Sequence, residues 1–106
     1  MTRLNRQNKY NAVKTEVDGI TFDSKAEARR YGELKLMKQS GAIRWFNRQP
    51  SFLLPGGIRY RPDSSVCGQD GRIWVEDVKG MSTPVFRMKQ KLWQETYPDL
   101  WLEVVK

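Results

Sequence analysis

The chain has 106 residues, with 19 lysines and arginines against 12 acids, so its formal net charge is +7. This length suits one small domain with a single core, and the basic excess indicates either a polyanionic partner or a soluble basic protein without a specific partner. The chain contains no histidine, which excludes Ser–His–Asp triads and histidine-based nuclease sites, so any catalysis must use carboxylates, lysines and a hard metal.

The cysteine content and hydropathy indicate the compartment. Cys67 is the single cysteine, so no disulfide forms within the chain and a reducing compartment is expected. No apolar run is long enough to cross a membrane, and the N-terminus has no signal-peptide pattern. We therefore expect a cytoplasmic protein, in the host cytoplasm if a phage encodes it, with no membrane association.

The N-terminal part of the chain predicts a basic arm followed by a β-hairpin. Residues 1–9 contain three cations and no acid, and we interpret them as a flexible arm outside a single domain of residues 10–106. In the segment from Val13 to Phe22, Asp18-Gly19 supplies the positive φ angles of a type I′ turn. Two short strands should therefore pair there.

Two helices are predicted from their capping residues. Ser24 and Glu27 match a capping box, so a helix begins after Ser24, and a Ser-Gly pair ends it near Gln39. Thr83 is followed by proline, a combination typical of a helix start. This second helix should continue to about Tyr97, where a Pro-Asp pair stops it.

The remaining apolar runs predict strands that are separated by turns rich in Gly and Pro. These strands span Ile43 to Arg48, Phe52 to Leu54, Ile58 to Cys67, Arg72 to Lys79 and Leu100 to Val105. The order of hairpin, helix, strands, helix and strand predicts a mixed α/β (α+β) domain. Its small mixed sheet should carry the helices packed on it.

Two carboxylates and a lysine should converge on neighbouring strands. Side chains alternate along a strand, so Asp77 and Lys79 project from the same face, while Glu76 points to the opposite one. Asp63 lies on the strand before them, beside a proline that favours a kink or bulge. A buried acid needs a counter-charge or a metal. The group indicates a divalent-metal site, unless Asp77 and Lys79 form an ordinary ion pair.

Two further charged residues lie within the apolar stripes of the helices. Glu27 falls in the stripe of the first helix, where it either completes the cap or turns its carboxylate toward the sheet. Lys89 lies in the stripe that Val85, Phe86, Met88, Leu92, Trp93 and Tyr97 form in the second helix. Its ammonium either reaches solvent along the apolar stem or reaches the carboxylates or a phosphate.

These residues carry a resemblance to a known superfamily. Pro62-Asp63 followed by Asp77-Val78-Lys79 resembles the signature of the PD-(D/E)XK nucleases, with Glu27 in the place of the extra helical acid of many members. The wider sequence resembles a family of small phage proteins placed in that superfamily. The segments that carry this likeness are Lys9-Tyr10-Asn11-Ala12, Phe22 to Ala28, Gln49-Pro50, Glu76 to Gly80 and Thr83-Pro84-Val85.

The resemblance implies a restriction-endonuclease-like core of helix, three strands, helix and strand, and cleavage of DNA phosphodiester bonds with magnesium or manganese. Asp63 and Asp77, together with the Val78 carbonyl and Glu27, would hold the metal, and Lys79 would lie beside the attacking water. Candidates for holding the nucleic-acid backbone are Arg30, Arg59, Arg61 and Lys89. A homodimer is expected for duplex or branched DNA, since so small a domain contacts one scissile site.

Alternatives to a DNA nuclease come from other classes. A nucleic-acid-binding phage protein could retain this fold without catalysis, and an RNA nuclease would use the same residues. The sequence leaves open duplex against junction preference and sequence specificity.

Overall fold

The computed structural model describes residues 13–106, so the basic arm predicted for residues 1–9 lies outside the described residues. Within residues 13–106, two helices and eight strands form a mixed α and β domain. The elements in chain order are β1 (Thr15–Val17), β2 (Ile20–Phe22), α1 (Lys25–Ser40), β3 (Ile43–Arg48), β4 (Phe52–Leu54), β5 (Ile58–Tyr60), β6 (Ser64–Gly68), β7 (Ile73–Val78), α2 (Pro84–Thr96) and β8 (Trp101–Val105). The predicted order of hairpin, helix, strands, helix and strand is confirmed.

The main sheet has four strands in the order β3-β6-β7-β8. Strands β3, β6 and β7 pair in antiparallel fashion, and β8 pairs in parallel with β7. Parallel pairing requires a crossover connection, and α2 provides it. Within the part of the chain that the structure describes, no helix has the length and hydrophobicity needed to cross a membrane.

Local signals determine the ends of the predicted elements. Asp18 and Gly19 adopt φ angles of 55° and 76° in the β1–β2 turn, as a type I′ hairpin requires. The Ser24 hydroxyl accepts a hydrogen bond from the Glu27 amide at 3.1 Å, and Gly41 ends α1 with a φ angle of 83°. Thr83 caps α2 in the same way, through the Phe86 amide.

The strand predicted from Ile58 to Cys67 is wrong, because the chain divides at Pro62. Strand β5 pairs only with β4 in a separate hairpin, whereas β6 belongs to the main sheet. Proline has no amide hydrogen to donate to a ladder, so pairing stops there and the chain changes sheets. Asp63 therefore lies between two strands, directly before the start of the inner strand β6.

Two cores cover the two faces of the sheet. On one face, Leu34 of α1 packs with Ile43 and Val66. On the other, Phe86 and Trp93 of α2 pack with Leu54, Tyr60 and Val75. The predicted stripe on α2 is only partly buried, since Val85 and Met88 are 58% and 48% exposed. The β4–β5 hairpin packs against Trp93 and Tyr97 at the C-terminal end of this helix.

Candidate metal centre

Asp63 and Asp77 come together where β6 begins and β7 ends. Asp63 is half-buried, and its Oδ2 accepts a hydrogen bond from the Val78 amide at 2.7 Å. Burial, followed by the hydrogen-bonded Asp77 side chain, raises the pKa of Asp63 to about 8. Two carboxylates in contact cannot both carry full charge without a proton or a cation between them. The structure brings these two acids together, and their role in binding a metal stays a prediction.

Lys79 and Tyr60 complete the immediate surroundings of Asp77. The Lys79 ammonium lies 3.7 Å from Asp77 Oδ2, and its Nζ lies 4.8 Å from the centre of the Phe86 ring. The Tyr60 hydroxyl donates a hydrogen bond of 2.5 Å to the same Asp77 oxygen. Burial and this bond to Asp77 raise the pKa of Tyr60 far above its ordinary value. The buried Asp77 carboxylate therefore has both a donor and a cation.

Tyr60 is a residue of the site that the sequence pattern did not identify. It lies on the β4–β5 hairpin, and its ring is 5.8 Å from that of Trp93 and 5.9 Å from Lys89 Nζ. Lys89, which the sequence marks as a cation within an apolar stripe, thus approaches the partner of Asp77. The alternation of Ile58 and Tyr60 along a short strand was the available signal that Tyr60 points inward.

Glu27 lies in the first turn of α1. It is half-buried in a narrow cleft under α1, which we call the α1-side cleft. The cleft is lined by Phe22, Glu27, Arg30, Tyr31, Arg48, Asp63, Ser64, Glu76 and Val78. Burial, followed by the charge of Asp23, raises the pKa of Glu27. The Glu27 amide donates the capping hydrogen bond to the Ser24 hydroxyl, and Glu27 lines the same cleft as Asp63.

The donor set for a metal is therefore smaller than the sequence implies. Among residues 13–106, no three acids, histidines or cysteines form a cluster that could hold an ion. Glu27 lies on α1 and shares the α1-side cleft with Asp63 and Glu76, and Asp77 does not line this cleft. Two carboxylates leave several positions for water, an arrangement that suits Mg²⁺ because this ion keeps part of its hydration shell. The residues present fit a magnesium ion bound by Asp63 and Asp77.

The Arg30 side chain is bound by two acids of the protein itself. Its Nε and Nη2 donate hydrogen bonds of 2.9 and 2.8 Å to Glu76, and its Nη1 donates to Glu33 at 3.0 Å. The structure therefore shows the Arg30 guanidinium bound to Glu76 and Glu33, and not in the position predicted for a contact with a nucleic-acid backbone. Arg59 and Arg61 are exposed, and neither forms an ion pair with a residue of the described part of the chain.

Larger hollows lie away from these acids. Cavities of about 430 and 490 Å³ flank β8 around Trp101. The α1-side cleft has a volume of about 20 Å³, which admits a water or an ion and not a nucleotide. A large substrate would therefore meet Asp63 and Asp77 from the surface.

The fold and the paired acids define a small mixed α and β domain with a candidate metal centre at the ends of its two inner strands, β6 and β7. Residues 7–106 match the family described as "Protein of unknown function (DUF1064)", and the chain belongs to that family. A comparison with curated proteins finds no match.

Proposed function

We propose that this protein is a metal-dependent endonuclease of the PD-(D/E)XK superfamily that hydrolyses DNA phosphodiester bonds. The observation that carries the proposal is the placement of Asp63, which accepts a hydrogen bond of 2.7 Å from the Val78 amide, next to Asp77, whose carboxylate lies 3.7 Å from the Lys79 ammonium. Paired carboxylates at the ends of neighbouring strands, with an adjacent lysine, suit phosphoryl chemistry at a metal. The net charge of +7 supports a nucleic-acid substrate.

Each residue of the site has a separate role in the proposed hydrolysis. Asp63 and Asp77 would bind magnesium or manganese, with the Val78 carbonyl and Glu27 as further oxygen donors nearby. When bound, the metal supplies charge neutralisation at the phosphate and a lowered pKa of bound water. Lys79 would, as an ammonium, orient the attacking water and stabilise the negative charge that develops on the phosphate oxygens. The proton that the water loses would pass to solvent, and solvent would protonate the departing 3′ oxygen. The water oxygen bonds to phosphorus and the P–O3′ bond breaks, leaving a 5′-phosphate and a 3′-hydroxyl.

Tyr60 would act as a positioning residue in this scheme. Its hydroxyl donates to Asp77 Oδ2, which leaves the other carboxylate oxygen to face Asp63 and an ion. Arg59, Arg61 and Lys89 are cations on the same side of the sheet as Asp77, on β5, just after it and on α2. We propose that they hold the DNA backbone without reading its sequence.

The test is cleavage of plasmid and labelled oligonucleotides in Mg²⁺, Mn²⁺ or chelator. We expect cutting that requires the metal and falls by roughly a hundredfold or more in Asp77→Asn and Lys79→Met. Asp99→Asn and Lys91→Met change exposed residues of the same types and should cut like the wild type. Cleavage that survives both site substitutions would overturn the assignment. Circular dichroism establishes that each variant is folded.

The substrate panel separates the competing functions. It contains linear duplex, a four-way junction, single-stranded DNA and RNA of matched sequence. Binding of DNA with no cleavage in any metal would favour the non-catalytic protein, and cleavage of RNA alone would favour the ribonuclease. Faster cutting of the junction would identify a structure-selective enzyme in phage DNA metabolism. Sedimentation with and without DNA tests the homodimer, which should appear at least on the duplex.

A further inference from the structure

Arg48 lies beside Asp63 because the sheet register places it there. It is the last residue of β3 and pairs with Ser64, the residue after Asp63. The next amide, that of Gln49, donates a hydrogen bond of 2.9 Å to the Asp63 carbonyl. Ladder hydrogen bonds leave little freedom in such an arrangement, so the start of the Arg48 side chain is fixed relative to the acid.

The guanidinium of Arg48 is supported by an aromatic ring. Its Cζ lies 4.8 Å from the centre of the Phe22 ring, and Phe22 is only 4% exposed. The Tyr31 ring packs against the Phe22 ring, with 5.1 Å between the ring centres. Stacking on an aromatic face directs the guanidinium and leaves its N–H groups available at the rim.

Arg48 differs from Arg30, the other arginine of the α1-side cleft, in its partners. Arg30 binds two glutamates, whereas Arg48 forms no ion pair with any residue between 13 and 106. Both line the cleft that contains Glu27 and Asp63. The Arg30 charge is neutralised by these glutamates, whereas the Arg48 charge in the cleft is not balanced by an acid of the described residues.

We infer that Arg48 binds a backbone phosphate of the nucleic acid on the α1 side of Asp63. The inference rests on the proposed function and gives to Arg48 the contact first assigned to Arg30. A planar guanidinium that pairs with no acid between residues 13 and 106 can match two phosphate oxygens. Its distance from Asp63 is set by the pairing of β3 with β6. Arg48 therefore aligns the chain of phosphates with the candidate metal centre.

The experiment measures DNA affinity without turnover. Wild type, Arg48→Met and Arg48→Lys are titrated with a fluorescent duplex oligonucleotide in Ca²⁺ over a series of salt concentrations, and Ca²⁺ binding is measured separately by calorimetry. Met keeps an apolar stem against Phe22. Arg44→Met is the matched control, since Arg44 lies on the same strand but binds the Gln69 carbonyl at 3.1 Å at the opposite end.

Arg48→Met should lose about tenfold in DNA affinity, and its slope of log affinity against log salt should fall by about one phosphate contact. Arg48→Lys should retain the slope with part of the affinity, and Ca²⁺ binding should stay unchanged in both. Equal affinity and slope in wild type and Arg48→Met would overturn the role of Arg48 alone. If the wild type binds no DNA at all, the proposed function fails, and the inference fails with it.

Discussion

Arg30 and Glu76 form a partly buried ion pair in the α1-side cleft that also contains Asp63. Two hydrogen bonds of 2.9 and 2.8 Å join them, Trp74 adds a third at 2.9 Å, and Glu76 is 1% exposed. Burial acts to raise the pKa of Glu76, but the bonds from Arg30 and Trp74 outweigh it, and the pKa is lowered. The pair joins the helix that carries Glu27 to the strand that carries Asp77.

Removing one member of this pair should be strongly destabilising. Arg30→Met leaves Glu76 charged and buried, which should lower the free energy of unfolding by about 3–5 kcal/mol in urea titrations. The double variant Arg30→Met/Glu76→Leu should recover most of the loss. Glu33→Gln, which removes the exposed partner of Arg30, should cost less than about 1 kcal/mol. A double variant no more stable than the single one would contradict this account.

The metal-free protein should lose stability as the pH rises. With its pKa raised to about 8, folded Asp63 retains a proton that the unfolded chain releases near pH 4. The stabilisation from this proton is complete below about pH 4 and is lost as the pH passes through 8. In chelator, the melting temperature should fall by several degrees between pH 5 and 9. Asp63→Asn should flatten most of this slope, with a remainder from Glu27, whose pKa is also raised. A wild-type profile as flat as that of Asp63→Asn would be incompatible with the raised pKa.

The hydrogen bond from Tyr60 to Asp77 should contribute more than an ordinary tyrosine bond. Tyr60→Phe keeps the ring against Trp93 but removes a donor to a buried carboxylate, a loss of about 1.5–3 kcal/mol in the free energy of unfolding. Tyr97→Phe is the control, since its hydroxyl bonds the neutral Leu53 carbonyl at 2.7 Å on the exposed side. We expect about 0.5–1.5 kcal/mol for this variant. Equal losses would show that Asp77 does not depend on Tyr60.

Gln49 carries backbone strain that glycine would relieve. Its φ angle is 51°, a left-handed conformation that costs a residue with a Cβ about 1–2 kcal/mol. Gln49→Gly should therefore leave the melting temperature unchanged or raise it, while its amide still bonds Asp63. Gln94→Gly, in the exposed part of α2, should lower stability by about 0.5–1 kcal/mol. A comparable loss in both variants would argue against strain at Gln49.

Elements with signals inside their own sequence were predictable. The β1–β2 hairpin follows from Asp18-Gly19, and both helices follow from the residues that cap them. The contact of Asp63 with Asp77 was predictable as well, because strand alternation and the antiparallel pairing of β6 with β7 are short-range. These features depend on chemistry within a few residues or on one turn.

The rest depended on contacts between distant segments. Pro62 indicated a kink. The sequence does not show that Ile58–Tyr60 pairs with β4 and so leaves the main sheet, because this depends on which strand offers the better pairing. The positions of Tyr60 beside Asp77 and of Arg48 beside Asp63 follow from that separation and from sheet register, so the sequence pattern did not reveal them. For Arg30 a signal existed: Glu76 lies in a buried run, and a buried acid requires a counter-charge.

The hydrogen bond between the Gln49 amide and the Asp63 carbonyl closes the base of the β4–β5 hairpin. The main sheet is therefore continuous on both sides of an inserted segment, and the length of that segment can change without shifting β3 against β6. Asp63 and Arg48 would keep their positions after such a change, and Tyr60 would be replaced with the segment. A change in this segment would thus replace the tyrosine that bonds Asp77 and leave Asp63, the carboxylate beside Asp77, in place. Relatives of this domain can differ in the first feature and keep the second.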